Sequence, residues 1–361
     1  MTTNTNARDA VGEYKWGFHD DEKPLFIAEK GLNEEVIRGM SKMKGEPEWM
    51  LEQRLDALET FWTLKDPSWA GSPELLKEID FDDIHYYVRA TDRDSTKWED
   101  VPEYIKDTFD KLGIPEAEKQ FLAGAGAQYD SEVVYHNIRE DLAKQGVIFL
   151  GMDQGLAEHG DLVRPHFERH VLAPKAFKFA GLNAALWTGG MFLYVPKGVV
   201  ADVTLAHGRW LAAGGGAIIP RTLIVLGDGA YVRVLDASGS FDDAAGLHCG
   251  STDIVLGENA ELHFTSLQQW GGGVWNSDLT HAWLGRNARL RALDVSLGGR
   301  VSRSHLSAVL EGEGAQATME GVYVGTGSQQ FEFRTLQDHV APHSSSDLLY
   351  KGALRDTAHA G

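Results

Sequence analysis

Thiols and imidazoles are the side chains that hold transition metals, and this sequence offers few thiols. Cys249 is the only cysteine in 361 residues, so neither an internal disulfide nor a four-thiolate zinc site can be built from one chain. His248 stands beside it and His263 follows, but neighbours on a strand point to opposite faces, which keeps His248 and Cys249 from sharing an ion. Cys249 is thus the one thiol available as a metal ligand, while a lone cysteine of this kind ordinarily serves as a small buried apolar side chain. His339 and His343 are four apart, yet Pro342 and Ser344 to Ser346 favour a loop over a helix, and the His-Glu-x-x-His pattern is absent. Neither phosphate-cradling signature is present, since Gly214 to Gly216 and Gly271 to Gly273 open no helix. No Gly-x-Ser-x-Gly nucleophile elbow occurs at a strand-to-helix turn. Trp270, with Trp275 and Trp283 beyond it, makes an aromatic group beside a glycine loop, suited to core packing or to a planar cofactor or partner.

Charge narrows the partners. The chain carries 34 basic and 53 acidic residues, a net charge of −19, which repels nucleic acid and acidic lipid. The N-terminus lacks the apolar segment of a secretory leader, and no apolar run is long enough to span a bilayer. With no disulfide framework, the reading is a soluble cytoplasmic protein.

Two compositions meet near residue 150. Residues 1–150 hold 32 of the acidic residues and 10 of the 40 glycines; the expectation is a helical N-terminal region over 1–150 and a turn-rich β region over 151–361. Asn33 caps a helix with Glu34 and Glu35 in its first turn. Pro47 opens a second helix, in which Leu51, Leu55, Leu58 and Trp62 form one apolar stripe. Asp100 to Leu112 and Ser131 to Gly146 also read as helix, with an irregular connector over Phe121 to Gln128.

The second half repeats. Gly227-Asp228-Gly229-Ala230, Gly257-Glu258-Asn259-Ala260, Gly285-Arg286-Asn287-Ala288 and Gly312-Glu313-Gly314-Ala315 share the form Gly-x-(Gly/Asn)-Ala at spacings of 30, 28 and 27. Gly and Asn tolerate the positive φ of a tight turn. After each turn the chain alternates, Ala260, Leu262 and Phe264 against Glu261, His263 and Thr265, as half-buried strands do. Stacked coils of a β-solenoid fit this period, with the inward alanines in register near one corner. A β-sandwich with hairpins at the same turns is the alternative.

Specific strings add a resemblance. Tyr14-Lys15-Trp16-Gly17-Phe18, Gly31 to Arg38, Glu46-Pro47-Glu48-Trp49-Met50-Leu51, Leu182-Asn183-Ala184-Ala185, Tyr194-Val195-Pro196-Lys197-Gly198-Val199, Gln268-Gln269-Trp270 and Ser346 to Gly352 resemble the SufB/SufD family of the SUF iron–sulfur cluster assembly system, with the N-terminal strings closer to SufB. The resemblance covers nearly all the chain. It implies a mainly β fold, a right-handed parallel β-helix preceded by helices. It further implies a non-enzymatic scaffold on which an iron–sulfur cluster is transiently built, with the ATPase SufC, SufD and sulfur-donor proteins as partners and reduced flavin in the full complex. A SufD-like structural subunit without its own cluster is the second reading. Arg209, Gln268 and Trp270 fall at β-helix positions that the resemblance links to cluster assembly, and Cys249 is the one candidate metal ligand. Departures accompany it: Ser238 and Leu284 stand where family members often have cysteine, and Cys249 where a small residue is usual. SufB proteins also continue beyond the point matching Gly361 into the segment that docks SufC, so stable docking of SufC is not expected of these 361 residues.

Overall fold

A computed structural model describes residues 26–65, 78–89, 95, 97–103, 105–106, 124–169, 177–212, 215–241 and 244–361. Each Gly-x-(Gly/Asn)-Ala string is a turn joining one strand to the next. Its third residue takes the left-handed backbone: φ is 67° at Gly229, 57° at Asn259, 55° at Asn287 and 74° at Gly314. The turns stack as the sequence leads one to expect. The Gly229, Asn259 and Asn287 N–H groups donate to the carbonyls of Glu258, Arg286 and Glu313 in the next coil, at 2.7, 2.8 and 2.9 Å. Asn287 Nδ2 donates to Asn259 Oδ1 at 3.2 Å, and Arg286 pairs with Glu258. At Gly312 the fit between turns excludes a side chain, because a Cβ there would lie 2.0 Å from the Arg286 nitrogen.

These turns wind the chain into a β-solenoid of about six coils, so the parallel stack holds and the sandwich does not. One sheet runs in spatial order Ser345–Leu354, Gln316–Gly325, Arg289–Gly298, Glu261–Trp270, Tyr231–Ser240, Leu205–Leu211, Gly124–Tyr129 and Glu132–Ile138. The facing sheet is built from His359–Ala360, Gln330–His339, Val301–Leu310, Gly273–Leu284, Ala245–Leu256, Arg221–Leu226, Met191–Val195 and Ile148–Gly151. Neighbours pair in parallel from Leu205–Leu211 and Met191–Val195 onward. Inward side chains meet in a dry core in which Ala230, Ala260, Ala288 and Ala315 are all buried. The four alanines stack: the carbonyls of Ala230, Ala260 and Ala288 accept from Glu261, Arg289 and Gln316 of the following coil.

Helices cover the outer face of the second sheet at its early coils. Asn33 caps Glu34–Lys44 as expected, its Oδ1 accepting from the Val36 N–H at 3.0 Å, and Gly45 closes that helix at φ 63°. Glu48–Thr63 starts after Pro47, but its buried stripe is not the expected one: Trp62 is exposed, and Met50, Arg54, Ala57, Leu58 and Phe61 face inward. Arg54 can be buried because its charge is fully paired. Its Nε donates to Glu46 Oε2 at 2.8 Å, Nη1 and Nη2 reach the carbonyls of Ala185 and Trp187, and the guanidinium lies 4.5 Å from the Trp187 ring.

Two local expectations are corrected. Ser131 to Gly146 is not one helix: Glu132–Ile138 is a strand and only Glu140–Lys144 is helical. In place of an irregular connector, Gly124–Tyr129 is a strand that pairs with Leu205–Leu211. Its glycines allow close approach, since a Cβ at Gly126 would lie 2.7 Å from His207 Cδ2. Trp98–Asp100 is a 3-10 turn; residues 107–112 of the helix expected there, like Tyr14 to Phe18 and 121–123, lie outside the described residues. Helix and strand occur on both sides of residue 150.

Candidate functional site

The inward phase of the alternation changes chemistry partway along each strand. On Tyr231–Ser240, Val232 and Val234 are followed by Asp236 and Ser238; on Glu261–Trp270, Leu262 and Phe264 are followed by Ser266, Gln268 and Trp270. Register lines these residues into two rows, His207, Asp236, Ser266 and Asp294, then Arg209, Ser238, Gln268 and Ser296. From the facing sheet, His248 aligns with Asn276, and Gly250 with Asp278. The result is a polar lane inside the solenoid, beside the dry core.

Its hydrogen bonds run in one direction across the lumen. His248 Nδ1 donates to Asn276 Oδ1 at 2.7 Å, Asn276 Nδ2 donates to Gln268 Oε1, and Gln268 Nε2 donates to Asp278 Oδ2 at 2.7 Å. Arg209 pairs with Asp236 and donates from Nε to Ser238 Oγ at 3.2 Å. His207 Nδ1 lies 3.6 Å from Asp236 Oδ1. Further along, Asp294 accepts from Ser296 and from Ser304, at 3.1 and 2.5 Å.

Burial sets the charge states. It pushes the Asp278 carboxyl up to about 7, reinforced by Asp236 and Asp294 and opposed by Arg209. Burial also drives His248 down to about 3, with Arg209 adding to the effect, so its imidazole is neutral at neutral pH. For Asp236, burial acts upward, but Arg209 and His207 outweigh it and hold the carboxyl below its usual range. Three lane atoms are buried with no hydrogen-bond partner: Nε2 of His248, Nε1 of Trp270 and Nε2 of His207. A buried orphan of this kind costs about 1–3 kcal/mol, so a row of them marks a compartment shaped by something other than stability.

The structure brings Arg209, Gln268 and Trp270 into this one lane, with the Trp270 ring 4.6 Å from that of His248. Cys249 is not with them. It lies on the opposite face of its strand under the helix Lys178–Leu186, its Sγ donating to the Phe179 carbonyl at 3.3 Å, and burial pushes its thiol up. Asn183 from that helix donates to the Cys249 carbonyl at 2.8 Å. Of the two positions where cysteine is expected by resemblance, Ser238 lines the lane and Leu284 belongs to the dry core. His339 caps a strand end, bonded to Ser344 and Ser346, and His343 sits in a turn at φ 58°. Among the described residues no group of three or more His, Cys, Asp or Glu side chains is placed to hold a metal ion.

Comparison with known proteins decides the family. Residues 209–361 match the family model described as SUF system FeS cluster assembly, SufBD core domain. The chain is 37% identical to the iron–sulfur cluster assembly protein SufB of Bacillus subtilis over 94% of its own length and 73% of that protein's. The chain belongs to the SufB/SufD family. SufBD-family iron–sulfur cluster assembly proteins of Staphylococcus haemolyticus and Staphylococcus epidermidis are 39% identical over 96% of this chain and 74% of theirs. Within this SufBD chain, Asp278 and Asn276 are lane residues that motif reading misses, and they join His248, which it weighs only as a neighbour of Cys249. The signal that finds them is the strand phase: each lies an even number of residues from an inward apolar side chain, Ala282 or Ile254.

Proposed function

We propose that this SufBD-family chain acts as a SufB-like scaffold subunit, supporting assembly of an iron–sulfur cluster for transfer, without catalytic turnover of its own. The observation that carries this reading is the directed chain from His248 through Asn276 and Gln268 to Asp278, beside Arg209. An enclosed row of polar groups, with an acid that changes protonation near neutrality, suits a subunit that handles small charged cargo such as sulfide and iron. The cluster is cargo here. One cysteine cannot supply the four thiolates, or two thiolates and two histidines, that such clusters use, so ligands come from partner subunits as well. SufD is the proposed partner subunit, SufC the ATPase of the same assembly, and reduced flavin an electron source in the complex.

A second reading, a SufD-like structural subunit, is favoured by one observation: the only thiol is buried beneath a helix and faces away from the lane. Complementation separates the two. The chain is expected to restore growth to a bacterium lacking SufB and not to one lacking SufD, and Arg209→Met or Gln268→Leu should abolish that rescue even when expression is raised until the folded variant matches wild-type abundance. Rescue of the SufD deletion alone overturns the scaffold reading.

A further inference from the structure

The outer face of the first sheet carries a pattern of its own. Alternation turns one row of side chains outward near the start of each strand, and register sets Arg233, His263 and Arg291 side by side. Arg291 is exposed and makes no ion pair among the described residues, while Arg233, also exposed, donates to the Asp202 carbonyl at 3.2 Å and lies over the Tyr231 ring. The acids of this face are Glu261, which pairs with His263 at 2.8 Å and lies 3.8 Å from Arg289, and Glu320 and Asp347 on later strands. Next to the cationic row run apolar ones, Leu235 and Leu293, then Leu267 and Val295, all half-buried. The opposite side of the molecule carries the complement. Glu48–Thr63, over the second sheet, presents Glu52, Asp56 and Glu59 to solvent on one helix face, at spacings of four and three. None of the three makes an ion pair among the described residues. About a quarter-turn round the same helix, Trp62 is 51% exposed.

We propose that Glu48–Thr63 of one copy of this chain docks on the outer face of the first sheet of the next copy. Two strands apart, Arg233 and Arg291 are separated by about 10 Å; Glu52 and Glu59, seven residues apart on a helix, are separated by about 10 Å as well. With the helix laid across the strands, the three acids meet Arg233, His263 and Arg291, and Trp62 falls on the apolar rows, where a large aromatic side chain is the kind of anchor that dominates an interface. Exposed ion pairs contribute little by themselves, so the charges select the face and the apolar rows hold it. Because the two surfaces lie on opposite sides of the solenoid, the contact is head-to-tail and repeats instead of closing on itself, giving an open array. The inference is independent of the lane and holds equally for a SufB-like and a SufD-like chain.

Sedimentation velocity of the full chain is the measurement. Its mean mass is expected to rise with concentration without levelling at a dimer, and to fall toward that of the monomer as salt is raised. Arg233→Glu with Arg291→Glu, or Glu52→Lys with Glu59→Lys, should each weaken association at least about tenfold. All four positions are exposed, and circular dichroism checks that each variant folds. Mixing the two variants in equal amounts should restore association, since each then offers the charge that the other's altered face requires. Trp62→Ala should weaken association while leaving its dependence on salt in place. A mass that stays monomeric at every concentration, one that levels at a dimer, or a mixture that associates no better than its components would each overturn the proposal.

Discussion

Asp278 makes the lane sensitive to pH in a defined direction. Its folded-state value of about 7 lies above the ordinary 3.8, so the folded chain holds the proton more tightly than the unfolded one. The stability this group contributes is full below about pH 4 and is lost as pH rises toward 7. Asp278→Asn keeps an acceptor for Gln268 Nε2 and removes the titration. Its melting temperature is therefore expected to gain on wild type between pH 4 and 7 and to hold a constant lead above that; a difference independent of pH would show that Asp278 ionises normally. Gln268→Leu acts otherwise, stranding Asn276 Nδ2 and Asp278 Oδ2, and should cost about 2–3 kcal/mol by urea denaturation. The residues of the lane were only partly legible. Arg209 and Gln268 come from resemblance, since nothing in their local spacing sets them apart, while Trp270 is also marked by its place in an aromatic group beside a glycine loop. Asp278 and Asn276 went unread because polar side chains on a strand are ordinarily assigned to solvent, and only the apolar residues further along reveal that this phase points inward.

The turns and caps were the most legible elements, because a positive φ or an N-cap admits few residue types. At Asn287, φ 55°, Asn287→Ala is expected to be about 1 kcal/mol less stable than Asn287→Gly, the cost of a Cβ in the left-handed region, as equilibrium denaturation of the two variants would read. The strands Gly124–Tyr129 and Glu132–Ile138 were illegible for the opposite reason. Gly124 and Gly126 look like loop residues, and only the proximity of Leu205 and His207 explains them. The face of Glu48–Thr63 was misjudged because Arg54, a charged residue, is the one that docks it. Arg54→Met leaves Glu46 and two carbonyls buried without their donor, and an expected loss of about 3–5 kcal/mol should appear as a large fall in the denaturation midpoint.

For the molecule as a whole, a single buried thiol sets what the chain does alone. Anaerobic reconstitution followed by desalting is expected to leave no stable cluster, and iodoacetamide should modify Cys249 rapidly only after unfolding, since burial keeps the thiol protonated. Retained iron and sulfide that disappear in Cys249→Ser would make Cys249 a ligand after all.

The solenoid also differs along its length. Early coils are buttressed by Lys178–Leu186 and Glu48–Thr63, and all six residues of Arg221–Leu226 are buried, whereas Arg289 and Arg291 on Arg289–Gly298 are exposed. Because each coil is held chiefly by its neighbours, such an array opens sequentially rather than all at once. Amide deuterium uptake should therefore be slowest in Arg221–Leu226 and faster in Arg289–Gly298. The helical layer would then act as a clamp on the coils it covers, so that Ala245–Leu256, tied to it through Asn183, is among the last strands laid open to water.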